Sequence, residues 1–179
     1  MAINFTTVKL NLYQWMITVV PSGMPVIFWE PNAPNPSAPY VTMYLNSIVS
    51  VNQDWTAADA DASGVVDMKG DRQFTLQVNA YGGDPLTVLE NIRTSLQKQT
   101  VLDTLRANGI AFYQAVNIAD ITELVDSQWE RRGSLDILFG IGQIYTDAPG
   151  YFDELELQQI YEDATGSIVY DETITITSP

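Results

Sequence analysis

Between residues 72 and 81 the side chains change character at every step. Phe74, Leu76, Val78 and Ala80 share one parity, and Gln73, Thr75, Gln77 and Asn79 share the other. A period of two marks a strand buried on one face only; a helix would scatter those four apolar residues around its circumference. The stretch 128–145 repeats the pattern as one long strand. Trp129, Arg131, Gly133, Leu135, Ile137, Phe139 and Ile141 fall on one parity, with Glu130, Arg132, Ser134 and Asp136 on the other. A sheet with one apolar face has to be covered, so the same chain must supply the cover.

Helical periodicity supplies it. In residues 5–20, Phe5, Val8, Leu12, Trp15 and Val19 recur at spacings of three and four. Leu10, Tyr13, Ile17 and Val20 make a second apolar stripe, so this helix asks for two neighbours, its own sheet and an adjacent subunit. Asn4 is placed to cap its start, and Pro21-Ser22-Gly23 stops it. After Gly82-Gly83, Asp84 and Pro85 form an N-cap and first-turn pair, opening a helix to about Gln99 with Leu89, Ile92 and Leu96 inward. A short helix capped by Thr100 follows and closes at Asn108-Gly109.

The remaining segments read as strands and connections. Residues 24–29 and 40–49 are apolar or β-branched runs, and 40–49 is expected to pair antiparallel with 72–81. Between the first two lies a segment with four prolines in nine residues, 31–39, which builds a stiff extended arm suited to contacting a partner; Pro34 and Pro36 are its candidate contact residues. Residues 52–70 form a polar, acidic connection. Ile110 to Val116 is a strand or ordered loop, 120–125 has no clear assignment, and 151–160 and 167–177 complete the set. The fold class is α+β: a mainly antiparallel or mixed central sheet with helices packed on one face, in a single domain over 1–179.

Composition narrows function. The 179 residues contain neither cysteine nor histidine, which excludes disulfides, thiolate chemistry and most hydrolase constellations. The net charge of −14 opposes nucleic acid and anionic membranes. No basic residue follows Arg132, although acidic ones continue to Glu172. The opening segment lacks a basic n-region and is interrupted by Lys9, Asn11 and Gln14, so neither a signal peptide nor a membrane span is expected. We expect synthesis in a cytoplasm and no cofactor.

Asp59, Asp61, Ser63, Gly64 and Asp67 match a calcium loop at positions one, three, five, six and nine. The twelfth position, which needs a bidentate glutamate, is Gly70. Asp59, Asp61 and Asp67 are therefore metal candidates set against an ordinary acidic connection, and a calcium-stabilised binding module is one alternative function. Asp153, Glu154 and Glu156 raise a carboxylate-dependent enzyme as another, without any motif behind it. Arg131 and Arg132 point to opposite faces of their strand, which puts one of them inside or at an interface with a carboxylate. Trp129 beside them is a core residue or an interface anchor.

A set of segments in fixed order resembles the tail-terminator, or neck, proteins of tailed bacteriophages. They are 36–42 (PSAPYVT) opening a strand, 78–82 (VNAYG) followed by Asp84 opening a helix, 105–110 (LRANGI), Asp120-Ile121 and 129–136 (WERRGSLD). The chain departs from the resemblance at Gly133, where alanine is common, and in the length of 147–179, which reads as a C-terminal elaboration. The resemblance implies a non-enzymatic ring, typically a hexamer, that caps the tail tube, stops its polymerisation and docks the DNA-filled head. Its expected partners are further copies of the chain, the tube protein, a head–tail connector or stopper and, in a contractile tail, the sheath. DNA would pass through the lumen without specific binding, and part of the acidic excess would face it. A connector or stopper of the same neck is the nearest alternative. Tyr13, Ile17, Pro34, Pro36, Trp129, Arg131 and Arg132 are the candidate interface residues, since a ring needs two different patches per subunit.

Overall fold

The computed structural model describes residues 3–30, 34–56, 60–61, 63–125, 127–150, 154–162 and 164–177. Among the described residues three helices, α1 (Phe5–Val19), α2 (Pro85–Ser95) and α3 (Gln99–Ala107), accompany eleven strands. The strands are β1 (Val26–Phe28), β2 (Tyr40–Ser50), β3 (Trp55–Thr56), β4 (Val66–Tyr81), β5 (Ile110–Ala115), β6 (Ala119–Asp120), β7 (Glu123–Val125), β8 (Gln128–Glu130), β9 (Arg132–Asp147), β10 (Glu154–Glu162) and β11 (Ile168–Thr177). The chain divides into two compact units. A core unit comprises Met1–Trp55 with Met68–Tyr145, and a second unit comprises Thr56–Asp67 with Thr146–Pro179.

The main sheet runs β1-β2-β4-β9-β5, with β3 pairing β4 and β6 pairing β9. It is mixed: β1 is parallel to β2, while β2 and β4, and β5 and β9, are antiparallel. The class is α+β, as the periodicities imply. Phe74, Leu76, Val78 and Ala80 of β4 lie in one buried cluster with Leu135, Ile137 and Phe139 of β9 and Val41 and Met43 of β2. The same cluster takes Val8, Leu12, Trp15 and Met16 of α1, Val88, Leu89 and Ile92 of α2, and Leu105 of α3. Three helices on one sheet face therefore share a single core.

Aromatic packing fixes its centre. Phe139 stacks on Phe74 at 5.6 Å, with Trp15 and Phe112 edge-on at 6.1 Å each. The buried Trp15 indole N–H donates to Ser95 Oγ at 3.2 Å, and Ser95 Oγ donates in turn to the Ile92 carbonyl at 2.7 Å. That relay spares the indole the cost of an unmade hydrogen bond.

The helix starts follow local chemistry. Asn4 Oδ1 accepts from the N–H groups of Thr6 and Thr7, and Asp84 accepts from Thr87 N–H with Pro85 in the first turn. Elsewhere tertiary structure overrides the sequence signal. Helix α2 stops at Ser95, not near Gln99, because tight turns (Leu96 N–H to Arg93 O, Gln97 N–H to Thr94 O) swing Leu96 fully into the core. Lys98, not Thr100, caps α3, and it does so without a side-chain hydrogen bond; Thr100 lies inside the helix.

The expected long strand over 128–145 is two strands broken at Arg131. The Arg131 carbonyl accepts from Gly82 N–H at 2.8 Å, and β8 leaves the main sheet to pair with β7. Strand β4 begins at Val66, inside the expected polar connection. Gly70 allows this: a Cβ there would collide with the Asp54 carboxylate, which has to sit against the strand to reach Arg72. At Gly133 the sheet and α2 approach closely, since a Cβ would stand 2.7 Å from Leu89 Cδ1.

Candidate assembly surfaces

Helix α1 buries its first apolar stripe and only part of its second. Of the second stripe Val20 is buried and Tyr13 half-buried, while Leu10 and Ile17 stay 55% and 42% exposed. Lys9 stands beside this stripe with its ammonium 5.4 Å from the centre of the Phe28 ring. The result is an outward apolar strip with one cation at its edge.

A second surface is built by the β7–β8 hairpin. Leu124 pairs directly with Trp129, so the two share a face. Leu124 is 58% exposed and Trp129 73%. Trp129 is thus not a core residue, and it stands out as a knob. It borders an open depression of about 690 Å³ together with Ala38, Gly82, Gly83, Val125 and Arg131. The hairpin is held out by Arg132, which pairs with Glu123, donates to Tyr81 Oη at 3.2 Å and lies 4.8 Å over the Tyr81 ring. Tyr81 stacks on Tyr40 at 4.6 Å. Arg131, one residue earlier, is exposed and donates to the Gly83 carbonyl at 3.3 Å. The two arginines part company, as expected, but at the break between β8 and β9 and not by alternation along one strand. The identity of the carboxylate, eight and nine residues upstream of the pair, was not legible. Of the proline-rich segment, Pro34 is exposed and Pro36 half-buried; Pro31 lies outside the described residues.

The core unit also carries an ion pair with no signature in the sequence. Arg72 Nη1 and Nη2 each donate to an Asp54 carboxylate oxygen at 2.6 Å, and Tyr145 Oη donates to Asp54 at 3.0 Å. The hydrogen bonds from Arg72 hold the Asp54 carboxyl below the usual carboxylate range. The pair ties Arg72, within β4, to the segment after β2.

In the second unit, β10 and β11 form an antiparallel hairpin that places Leu157 opposite Ile174 and Tyr161 opposite Tyr170. All four are exposed. Sequence reading gave the strands but not this shared face, whose signal is matched alternation on both sides of the Thr165-Gly166 turn. Of the metal candidates, Asp59 lies outside the described residues. Asp61 Oδ1 accepts from the N–H groups of Ser63 at 2.8 Å and Val65 at 3.0 Å, closing a turn. Asp67 is exposed on β4, and Gly70, the twelfth loop position, lies within that strand. Among the described residues no three acidic side chains gather as a metal site. Asp153 and the Glu154 side chain are outside the described set, and Glu156 is exposed opposite Thr175.

The sequence pattern of the phage neck terminator protein family matches residues 7–177. The chain belongs to that family. The matched span runs through both strands of the β10–β11 hairpin. Among solved structures the fold is similar to the sheath/tube terminator, in its extended state, of the extracellular contractile injection system PVC. The TM-score is 0.51 at 12% identity, over 83% of this chain and 59% of that one. The neck terminator chain thus spans less than two thirds of that relative's length. No curated protein matches the chain.

Proposed function

We propose that the chain is a structural, non-catalytic subunit of a six-membered ring in the neck of a tailed phage. The ring caps the tail tube, stops its polymerisation and docks the tail to the DNA-filled head. Family membership over residues 7–177 supports the terminator role. The observation that carries the ring is the pair of exposed apolar surfaces on different elements of the core unit: Leu10 and Ile17 on α1, and Leu124 and Trp129 on the β7–β8 hairpin. Two unlike patches on one subunit make head-to-tail contacts, and these close into a ring when the rotation allows. Tyr13 belongs to the first surface. Pro34, Pro36, Arg131 and Arg132 extend or support the second.

Partners follow from position: further copies, the tube protein, a head–tail connector and, given the fold it shares with a sheath/tube terminator, a sheath protein. DNA crosses the ring without specific binding, and part of the net charge of −14 lines the bore, where it repels phosphates. Assembly takes place in the host cytoplasm. Native mass spectrometry with negative-stain imaging of the protein, alone and with tail tubes, tests the reading. It expects closed rings, seated at one end of the tube. A monomer in both settings overturns it, and rings that bind portal-bearing heads but not tubes would make the chain a stopper.

A further inference from the structure

We infer that the β10–β11 hairpin is an assembly arm whose apolar face seats on the α1 stripe of a second copy of this chain. This rests on the ring reading above and names the occupant of one of its surfaces. Directly opposed residues of an antiparallel pair share a face, so Leu157, Ile174, Tyr161 and Tyr170 stand together, with the tyrosine rings 5.8 Å apart. Each of the four is between 45% and 55% exposed. Glu172 shares that face and accepts from the Tyr170 hydroxyl. The opposite face carries Glu156, Gln158, Thr173 and Thr175, with Ile160 as its apolar exception. A two-stranded hairpin is marginal in water unless its apolar face is covered.

Charge states what the cover must be. The second unit contains eleven of the chain's 22 acidic residues and none of its eight basic ones. A surface that is apolar, narrow and equipped with a cation complements this face. The α1 stripe meets all three conditions: Leu10, Tyr13 and Ile17 recur at helical spacing, and Lys9 flanks them one turn from Tyr13. Of the cations beside the two exposed apolar surfaces of the core unit, Lys9 rests on the Phe28 ring, Arg131 donates to the Gly83 carbonyl and Arg132 pairs with Glu123. Seating the hairpin there brings Glu172 against Lys9 as four apolar side chains meet three. The two surfaces are unlike, so head-to-tail repetition of the contact joins successive copies of a ring.

The test is a charge swap in the full-length protein, read by sedimentation velocity over a concentration series, with thermal melting as a check on folding. Lys9→Glu and Glu172→Lys each weaken association by on the order of fivefold, and the double variant recovers most of the loss. Leu157→Asn with Ile174→Asn weakens it further at unchanged core melting. The inference is overturned if the swap fails to restore association. It is also overturned if the hairpin variants destabilise the monomer yet associate normally, which would mean the arm covers its own chain. If these variants still form rings while changes at Leu10 and Ile17 prevent them, the ring reading survives and only the arm is lost. A wild type that never associates, with or without tubes, removes the ring reading itself.

Discussion

Replacing Leu10 and Ile17 of α1 together by glutamine separates assembly from folding. Full burial of a leucine or isoleucine side chain contributes about 1.5–3 kcal/mol. Leu10 is 55% and Ile17 42% exposed in the single chain, so roughly half of that value is left for a neighbour to supply at each position. The two together account for about 2 kcal/mol of a subunit contact, or roughly thirtyfold in its dissociation constant. Glutamine keeps the helix propensity and an aliphatic stem over the half already covered, so the monomer loses no more than about 1 kcal/mol. Sedimentation velocity measures the first quantity and urea unfolding the second. The reasoning is refuted if association is unchanged, or if unfolding stability drops by more than about 2 kcal/mol, which would place the stripe in the folded interior.

Three further outcomes follow from the core and its ion pair. Phe139→Ala removes the ring on which Phe74, Trp15 and Phe112 converge and is expected to lower unfolding stability by about 3–5 kcal/mol in a urea titration. Trp15→Phe leaves Ser95 Oγ without the indole donor while keeping its bond to the Ile92 carbonyl, so a smaller loss of about 1–2 kcal/mol is expected by the same titration. Because the Asp54 carboxyl is held below its ordinary value of 3.8 by Arg72, its stabilising contribution is fully present above about pH 4 and disappears as pH falls through the lowered value. Asp54→Asn should therefore be less stable than wild type near pH 6, and the gap should narrow toward pH 3 in melts at stepped pH. A gap that widens on acidification would contradict the pairing.

Much of the fold was legible because it is set locally. The Asn4 cap, the Asp84-Pro85 helix start and the alternation in β4 are each determined within a few residues, and each stands where the chemistry put it. The break at Arg131 was not legible. The alternation continues unbroken from Trp129 to Gly133, and what interrupts the strand is a hydrogen bond from Gly82, some fifty residues away. The early start of β4 has the same kind of cause, the Asp54–Arg72 pair and the glycine that admits it. Surface roles were the least legible. Periodicity shows that α1 has two apolar stripes, but only the packed structure shows that Leu10 and Ile17 are the members left in water. Trp129 reads equally as core or knob until its strand leaves the sheet. The terminator role came from the order of whole segments, since no single residue in this chain carries chemistry that would name it.

Tail length in virions assembled without the chain is the measurement closest to the central claim. If the protein works by fitting its surfaces to copies of itself and to the tube end, electron micrographs of such lysates will show tails of irregular length, unattached to filled heads, and added wild-type protein will restore joining. Tails of uniform, normal length already joined to full capsids would contradict it.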